Sequence, residues 1–315
     1  MRLAHDHVRV RVPATSANLG PGFDAMGLAL AHHDVVEVRA LGSDEVTVEV
    51  TGEGAGEVAG GEDHLVVRAL RTGLEHVGAP LSGLHLTCTN RIPHGRGMGS
   101  SAAAVVAGLV AARMLLADPT ALDDATVLEL ATRLEGHPDN AAPALLGGAT
   151  VAWTGDRGPR ASRLPVHDDV VPVVLVPDER CATRTARGVL PATVPHDDAA
   201  YTAGRAALLV HALCRRPDLL ADATSDRLHQ RYRAPVMERT WSVVEALREA
   251  GAAAVVSGAG PSVLVLERAS DGDGGARLLD AVLGPRDGTG RTAGGWRVLR
   301  PGLDHDGTVG ERLGS

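Results

Sequence analysis

Residues 93–103 read Pro-His-Gly-Arg-Gly-Met-Gly-Ser-Ser-Ala-Ala, and run on into an apolar, alanine-rich stretch that ends near Ala117. No other feature constrains the fold as much. Leu84–Thr89 alternates as a strand, so the local order is strand, glycine loop, then a long helix over about Ser100–Leu116. Glycines let a backbone approach a ligand closely. The first turn of a helix offers unpaired N–H groups and the positive end of its dipole. The natural guest is an anion, phosphate above all. Three readings fit: a plain turn capped by Ser100, a dinucleotide loop, and a triphosphate loop that uses serine hydroxyls. The dinucleotide reading matches poorly. Asn90–Pro93 separates strand from glycines, and Pro119 stands where an acid is wanted, about twenty residues on. Composition narrows the triphosphate reading. All 31 Lys+Arg residues are Arg, which excludes a Walker A loop, a protein-kinase lysine and a Schiff base.

The formal net charge is −8. That balance argues against a nucleic-acid binder, which carries a basic face, but leaves room for a locally basic site for a small anion. Only six residues are aromatic, so the cores must be built from Val, Leu and Ala. Cys88, Cys181 and Cys214 are odd in number and far apart, which fits neither a disulfide framework nor a zinc cluster and points to a reducing compartment. Arg2, His5, Asp6, Arg9 and Arg11 interrupt any signal sequence, and Ala102–Ala117 is too short and too weakly apolar to span a membrane. A cytoplasmic protein is expected.

The length suits about two domains. Strands are predicted at Val8–Val12, Val35–Ala40, Val46–Val50, Ala149–Trp153, Val170–Val176, Ala253–Ser257, Ser262–Leu266 and Trp296–Leu299. Helices are predicted at Leu65–His76, Ala125–Leu134, Ala182–Gly188, Asp198–Cys214 and Val236–Ala250. Strict βαβ alternation is missing, so an α+β class is expected. The composition break at Gly155–Pro159 reads as a linker. It gives a first domain over 1–155, a second over 160–300, and a Gly/Asp-rich tail over 301–315 expected to be disordered.

The block Pro93-x-x-x-Gly97-Met98-Gly99-Ser100-Ser101-Ala102 resembles the phosphate loop of the GHMP small-molecule kinases. Two more blocks agree in order: Pro13–Asp24 (PATSANLGPGFD) and Ser257–Ser262 (SGAGPS). Glu135–Ala144 (EGHPDNAAPA), Thr183–Pro191 and Leu228–Pro235 (LHQRYRAP) are similar to the homoserine branch of that family. The six blocks span about residues 8 to 265. They also hold Asn18, Phe23, Asn140 and Gln230, members of the chain's rarest residue types. Met98 replaces a commoner leucine, and Arg231 a commoner proline.

The resemblance implies a two-domain fold, ribosomal-protein-like then ferredoxin-like, with ATP near the seam and Mg²⁺ as metal. It implies phosphorylation of the side-chain hydroxyl of L-homoserine, and a possible homodimer. Carried over, Pro93, Gly95, Arg96, Gly97, Met98, Gly99, Ser100, Ser101, Ala102 and Ala103 would cradle the phosphates. Ser100 and Glu135 would hold the metal, with Glu129 as the alternative. Arg187 and Arg233 would fork the substrate carboxylate, and Asp24 and Asp139 would take its ammonium. Asn18, His137, Asn140 and Thr183 would orient the hydroxyl. Asp24, Asp139 and Asn140 are the catalytic candidates, with no firm general base assigned. The competing readings are a kinase for a mevalonate-like hydroxy acid and a relative that binds nucleotide without catalysis.

Overall fold

The computed structural model describes residues 1–314. The first half begins with β1 (His7–Ala17), β2 (Met26–Leu41) and β3 (Val46–Gly52), followed by α1 (Leu65–His76), β4 (Gly83–Asn90) and α2 (Ser100–Leu115). It continues with α3 (Asp124–Glu135), α4 (Ala141–Leu146), β5 (Ala149–Gly155) and β6 (Gly158–Leu164). These strands lie in one sheet, joined at the edge beside β1 by the chain's last strand, β11 (Val309–Arg312), in the order β11-β1-β2-β4-β3, with β5 pairing β2 and β6. β2 pairs with β1 on one edge and is long enough to serve two partners on the other: Met26–Leu28 pairs with β5, and Val35–Leu41 with β4. Pro13 lies in β1 at a register shift, where the absent N–H does least harm to the ladder. The ladder resumes to Ala17, beyond the predicted end of this strand.

Helix α2 lies over this sheet. Its Ala, Val and Leu residues are apolar almost all round, and eleven of its sixteen positions are buried, against α1, α3 and β1. A helix of that pattern is a core element, not an amphipathic surface one. Its N-terminus is therefore fixed in space by packing along its whole length.

The second half contains β7 (Val170–Pro177), α5 (Thr183–Gly188), α6 (His196–Cys214), α7 (Leu220–Ala223), α8 (Gln230–Arg233) and α9 (Glu238–Glu249). After them come β8 (Ala253–Val256), β9 (Val263–Arg268), α10 (Gly274–Leu283), β10 (Trp296–Leu299) and β11 (Val309–Arg312). β10-β7-β9-β8 form an antiparallel four-stranded sheet. A smaller core of Val173, Leu175, Val244, Leu247, Val256 and Trp296 lies beneath it. The mixed α+β expectation agrees with this two-sheet architecture. No helix among the described residues is long and apolar enough to cross a membrane.

Two expectations need correction. The stretch Gly155–Pro159 is no linker: Gly155 pairs with Gly158 at the tight end of the β5–β6 hairpin, and the first sheet runs on to Leu164. Its glycines signal a turn, and turn and linker share a composition. The segment after Pro301 is ordered. β11 pairs antiparallel with β1 at Val8–Arg312 through Arg11–Val309. Asp304, 4% exposed, accepts from His33 Nε2 at 2.6 Å and from the Gly307 N–H at 2.6 Å. Backbone pairing and one buried carboxylate hold this polar stretch, and neither shows as hydrophobic periodicity. Ser315 lies outside the described residues.

Burial pushes the Asp304 carboxyl up, but the His33 and Gly307 hydrogen bonds outweigh it and hold the group below its ordinary value. Such a group adds stability above the unfolded-state carboxylate pKa and loses it as pH falls through the lower folded value. Asp304→Asn is expected to cost about 1–3 kcal/mol at neutral pH and to flatten the acid limb of the stability curve. Denaturant melts from pH 7 to pH 3 would read both. An unchanged acid limb would mean the charge of Asp304 does not hold the strap.

Candidate active site

The loop between β4 and α2 takes a left-handed backbone at Gly95, Gly97 and Gly99, with φ of 64°, 70° and 70°. Its carbonyls are held from outside at four points by three other segments. Gly95 O accepts from the Cys181 N–H (3.0 Å), Arg96 O from Ser262 (3.3 Å) and Met98 O from Thr15 (3.1 Å). Gly97 O accepts from Ser257 Oγ at 2.6 Å. The helix begins on Gly99 with no side-chain cap, so the plain-turn reading with Ser100 as cap does not hold. Among the described residues the N–H groups of Ser100, Ser101 and Ala102 find no protein acceptor outside the helix. Carbonyls tied back and N–H groups left bare make an anion cradle.

The cradle opens into a cavity of about 330 Å³. Gly95, Gly97, Gly99, Ser100, Ser101 and Ala102 line one side. Asn18, Glu135, His137, Asp139, Asn140, Thr183, Arg187 and Arg233 line the rest, with Cys181, Gly258 and Ala259. Asp24 borders an adjoining groove shared with Glu135, His137, Thr183 and Arg187. The remaining loop residues face elsewhere. Pro93, Met98 and Ala103 are buried packing. Arg96 donates to the carbonyls of Pro177 (2.9 Å) and Asp178 (3.0 Å), so it pins the loop to the end of β7.

Glu135 ends α3 and accepts from Ser101 Oγ at 2.6 Å. Burial raises its pKa, with the Ser101 hydrogen bond working against that rise. Glu129 pairs with Arg133 on the exposed side of the same helix and does not reach the cavity. Asp139 is 2% exposed and accepts from His137 Nδ1 at 2.5 Å. That bond raises the His137 pKa against the effect of burial. Thr15 Oγ1 donates to Asn140 Oδ1 (2.8 Å), which fixes the amide beside Gly99.

Arg187 on α5 makes a two-pronged pair with Asp24, at 2.6 and 3.1 Å. Arg233 at the end of α8 is different. It is 1% exposed and donates to Ala186 O (3.2 Å), Gly258 O (3.0 Å) and His229 Nδ1 (3.1 Å), yet no carboxylate pairs with it among the described residues. Burial and the neighbouring Arg187 both lower its pKa, so a bound anion would be welcome there. Asn18 spans the seam: its Nδ2 donates to Gly258 O at 2.8 Å, and its Oδ1 accepts from the Asp24 N–H at 3.0 Å.

A second cavity, also about 330 Å³, shares Ser100 and Ser101 with the first; its surface is mainly apolar, from Val36, Val58, Leu65, Val66, Ala104 and Ala107, with Asp34, Asp63, His64, Asn90 and His94 also on its walls. Sequence reasoning missed it, because its walls come from separate segments with no common spacing. The family resemblance gives the SGAGPS block the part of buttressing the phosphate loop, and within it the Ser257 hydroxyl, not singled out from sequence, makes the bond to Gly97 O.

The model of the GHMP kinases N terminal domain matches residues 64–148, and that of the GHMP kinases C terminal domain matches residues 207–279. Fold, loop and matches together define a GHMP kinase. The chain is 52% identical over 303 residues to the homoserine kinase of Streptomyces coelicolor, covering 96% of this chain and 94% of that one. It is 50% identical to the homoserine kinase of Clavibacter michiganensis, covering 96% and 93%. The crystal structure of homoserine kinase from Cytophaga hutchinsonii superposes with a TM-score of 0.82 at 26% identity, covering 98% of each chain. The chain belongs to the homoserine kinase branch of the GHMP kinases.

A Cβ on Gly97 would lie 2.2 Å from the Ser257 carbonyl oxygen, whereas one on Gly136, also left-handed at φ 88°, would meet nothing within 4 Å. Gly136→Ala should therefore cost only the left-handed penalty of about 1–2 kcal/mol. Gly97→Ala should cost clearly more and also weaken nucleotide binding. Thermal melts with and without nucleotide would check this. Equal costs at the two positions would mean the loop yields freely.

Proposed function

We propose that this protein transfers the γ-phosphoryl group of ATP to the side-chain hydroxyl of L-homoserine, releasing ADP and O-phospho-L-homoserine. The observation that carries this reading is Arg233: a buried guanidinium without a carboxylate, lining the same cavity as an uncapped helix N-terminus. One feature suits an amino-acid carboxylate, the other a phosphate. The reading takes the apolar cavity for the nucleotide base, the loop N–H groups for the phosphates, and the polar cavity for the amino acid. Such a substrate and donor suit a cytoplasmic enzyme, and its product suits threonine biosynthesis.

The Ser100 hydroxyl and Glu135 carboxylate are the hard oxygen donors that Mg²⁺ prefers, and the 2.6 Å Ser101–Glu135 bond supports a carboxylate aimed at the helix start. When bound, the metal supplies charge neutralisation on the phosphates. Arg187 and Arg233 grip the substrate carboxylate, and Asp24 takes the ammonium. Asp139, oriented by His137, accepts a hydrogen bond from the attacking hydroxyl and receives its proton as the P–O bond forms. A loose transition state asks mainly for such positioning. A mevalonate-like acid has no ammonium and would leave the carboxylates facing it without a partner. The ordered Asp139–His137 pair speaks against a relative without catalysis.

An ADP-release assay over homoserine, threonine, serine and mevalonate tests the activity. Turnover is expected to be fastest with homoserine by a wide margin, and faster turnover of mevalonate would overturn the reading. Arg187→Ala should raise KM for homoserine about tenfold or more with little change in KM for ATP. Equal effects on both substrates would remove Arg187 from the carboxylate subsite. Glu135→Gln should raise the Mg²⁺ concentration for half-maximal activity about tenfold or more, and Glu129→Gln should not. A reversed outcome would move the metal to Glu129.

A further inference from the structure

Phe23 is the only phenylalanine in a chain that builds its cores from aliphatic residues, and nothing in the phosphoryl-transfer reading uses it. Leucine or valine would fill the same space, so the aromatic face itself is the unusual choice. The ring is only half buried and stacks on His229, with centroids 4.9 Å apart and planes 23° from parallel. The Arg187 guanidinium carbon lies 5.8 Å from its centroid, and that of Arg233 lies 5.7 Å away. Two like charges are thus gathered around one aromatic ring, within cation–π range of it.

His229 completes the arrangement. It is fully buried, and its Nε2 donates to the Gly20 carbonyl at 2.7 Å. With the proton on Nε2, the Nδ1 lone pair is free to accept from Arg233 Nη1 at 3.1 Å. A proton on Nδ1 would set two donors and two cations against each other, and burial keeps the ring neutral. Asp226 fixes the backbone that carries His229 by accepting the N–H groups of Leu228 (2.7 Å), His229 (3.1 Å) and Gln230 (2.9 Å).

We propose that the stacked Phe23–His229 pair is a positioning platform that holds the Arg187 and Arg233 guanidiniums together, against their mutual repulsion, in the spacing that receives the substrate carboxylate. Arg187 already has the Asp24 carboxylate as partner, so the quadrupole of Phe23 and the lone pair of His229 matter most at Arg233, which no carboxylate pairs with among the described residues. Neither residue touches the phosphate path. Their loss therefore shows in affinity for the amino acid, not in the chemical step. This proposal rests on the homoserine kinase reading above.

The test compares Phe23→Leu, Phe23→Tyr, His229→Asn and His229→Gln in the full-length protein, with both KM values, kcat and the melting temperature measured for each. Phe23→Leu keeps bulk and loses the π face. It is expected to raise KM for homoserine about tenfold while kcat and KM for ATP stay within about threefold, and Phe23→Tyr should restore the wild-type KM. An Asn amide reaches the Nδ1 position and a Gln amide the Nε2 position. His229→Asn should therefore bind homoserine more tightly than His229→Gln. If Phe23→Leu does not fold, the His229 pair decides the matter on the same ratio. An unchanged KM for homoserine in Phe23→Leu, or a parallel loss in both KM values and in melting temperature, would overturn the platform and leave the ring as packing. Failure of the wild-type protein to phosphorylate homoserine would instead overturn the functional reading beneath it.

Discussion

The site depends on how the carbonyls of residues 95–98 are disposed of. A peptide unit carries its N–H and C=O on opposite sides, so tying the oxygens outward turns the hydrogens inward. Cys181, Ser262, Ser257 and Thr15 supply the ties, and they come from both halves of the chain. A glycine loop alone would be a flexible turn. Held at four points and continued by a helix buried along most of its length, it becomes a rigid ring of donors. The left-handed glycines are the local condition for this, and the distant donors are the global one.

The same segments link the two ends of the reaction. The Gly258 carbonyl accepts from both Asn18 and Arg233, and the hydroxyl of its neighbour Ser257 holds Gly97. One short turn thus touches both the part of the cavity proposed for the amino acid and the glycine loop proposed for the phosphates. On the reading proposed above, the spacing between the two substrates rests on a few covalent bonds of that turn.

The sequence was most informative where function writes in short, dense motifs. The glycine loop, the helix it opens, and the residues that converge on the cavity were all legible. Helix α2 and strand β7 were plain from apolar pattern. Elements made by backbone pairing of polar residues escaped: β6, the far half of β1, and β11 have no clean alternation to display. Turn and linker look alike in composition, so Gly155–Pro159 was read as a boundary when it closes a hairpin. Within the site, the resemblance carries Arg96 into the phosphate loop as one of its members, and its guanidinium goes to two carbonyls at the end of β7. Residue type names the donor, and only packing says which acceptor it meets. The apolar cavity could not be seen at all, because aliphatic side chains carry no chemical signature until the fold gathers them.

The return of β11 to β1 has a consequence for how the chain is made. Arg9 and Glu311 meet across a gap of 302 residues. As the chain leaves the ribosome from its N-terminus, one edge of β1 stays open until nearly everything else has emerged, including the whole second sheet. An unpaired edge held that long invites pairing with other nascent chains. Arg9 and Arg11 alternate along β1, and charges of that kind disfavour edge-to-edge pairing; in the finished fold Glu311 meets Arg9 at the matching register.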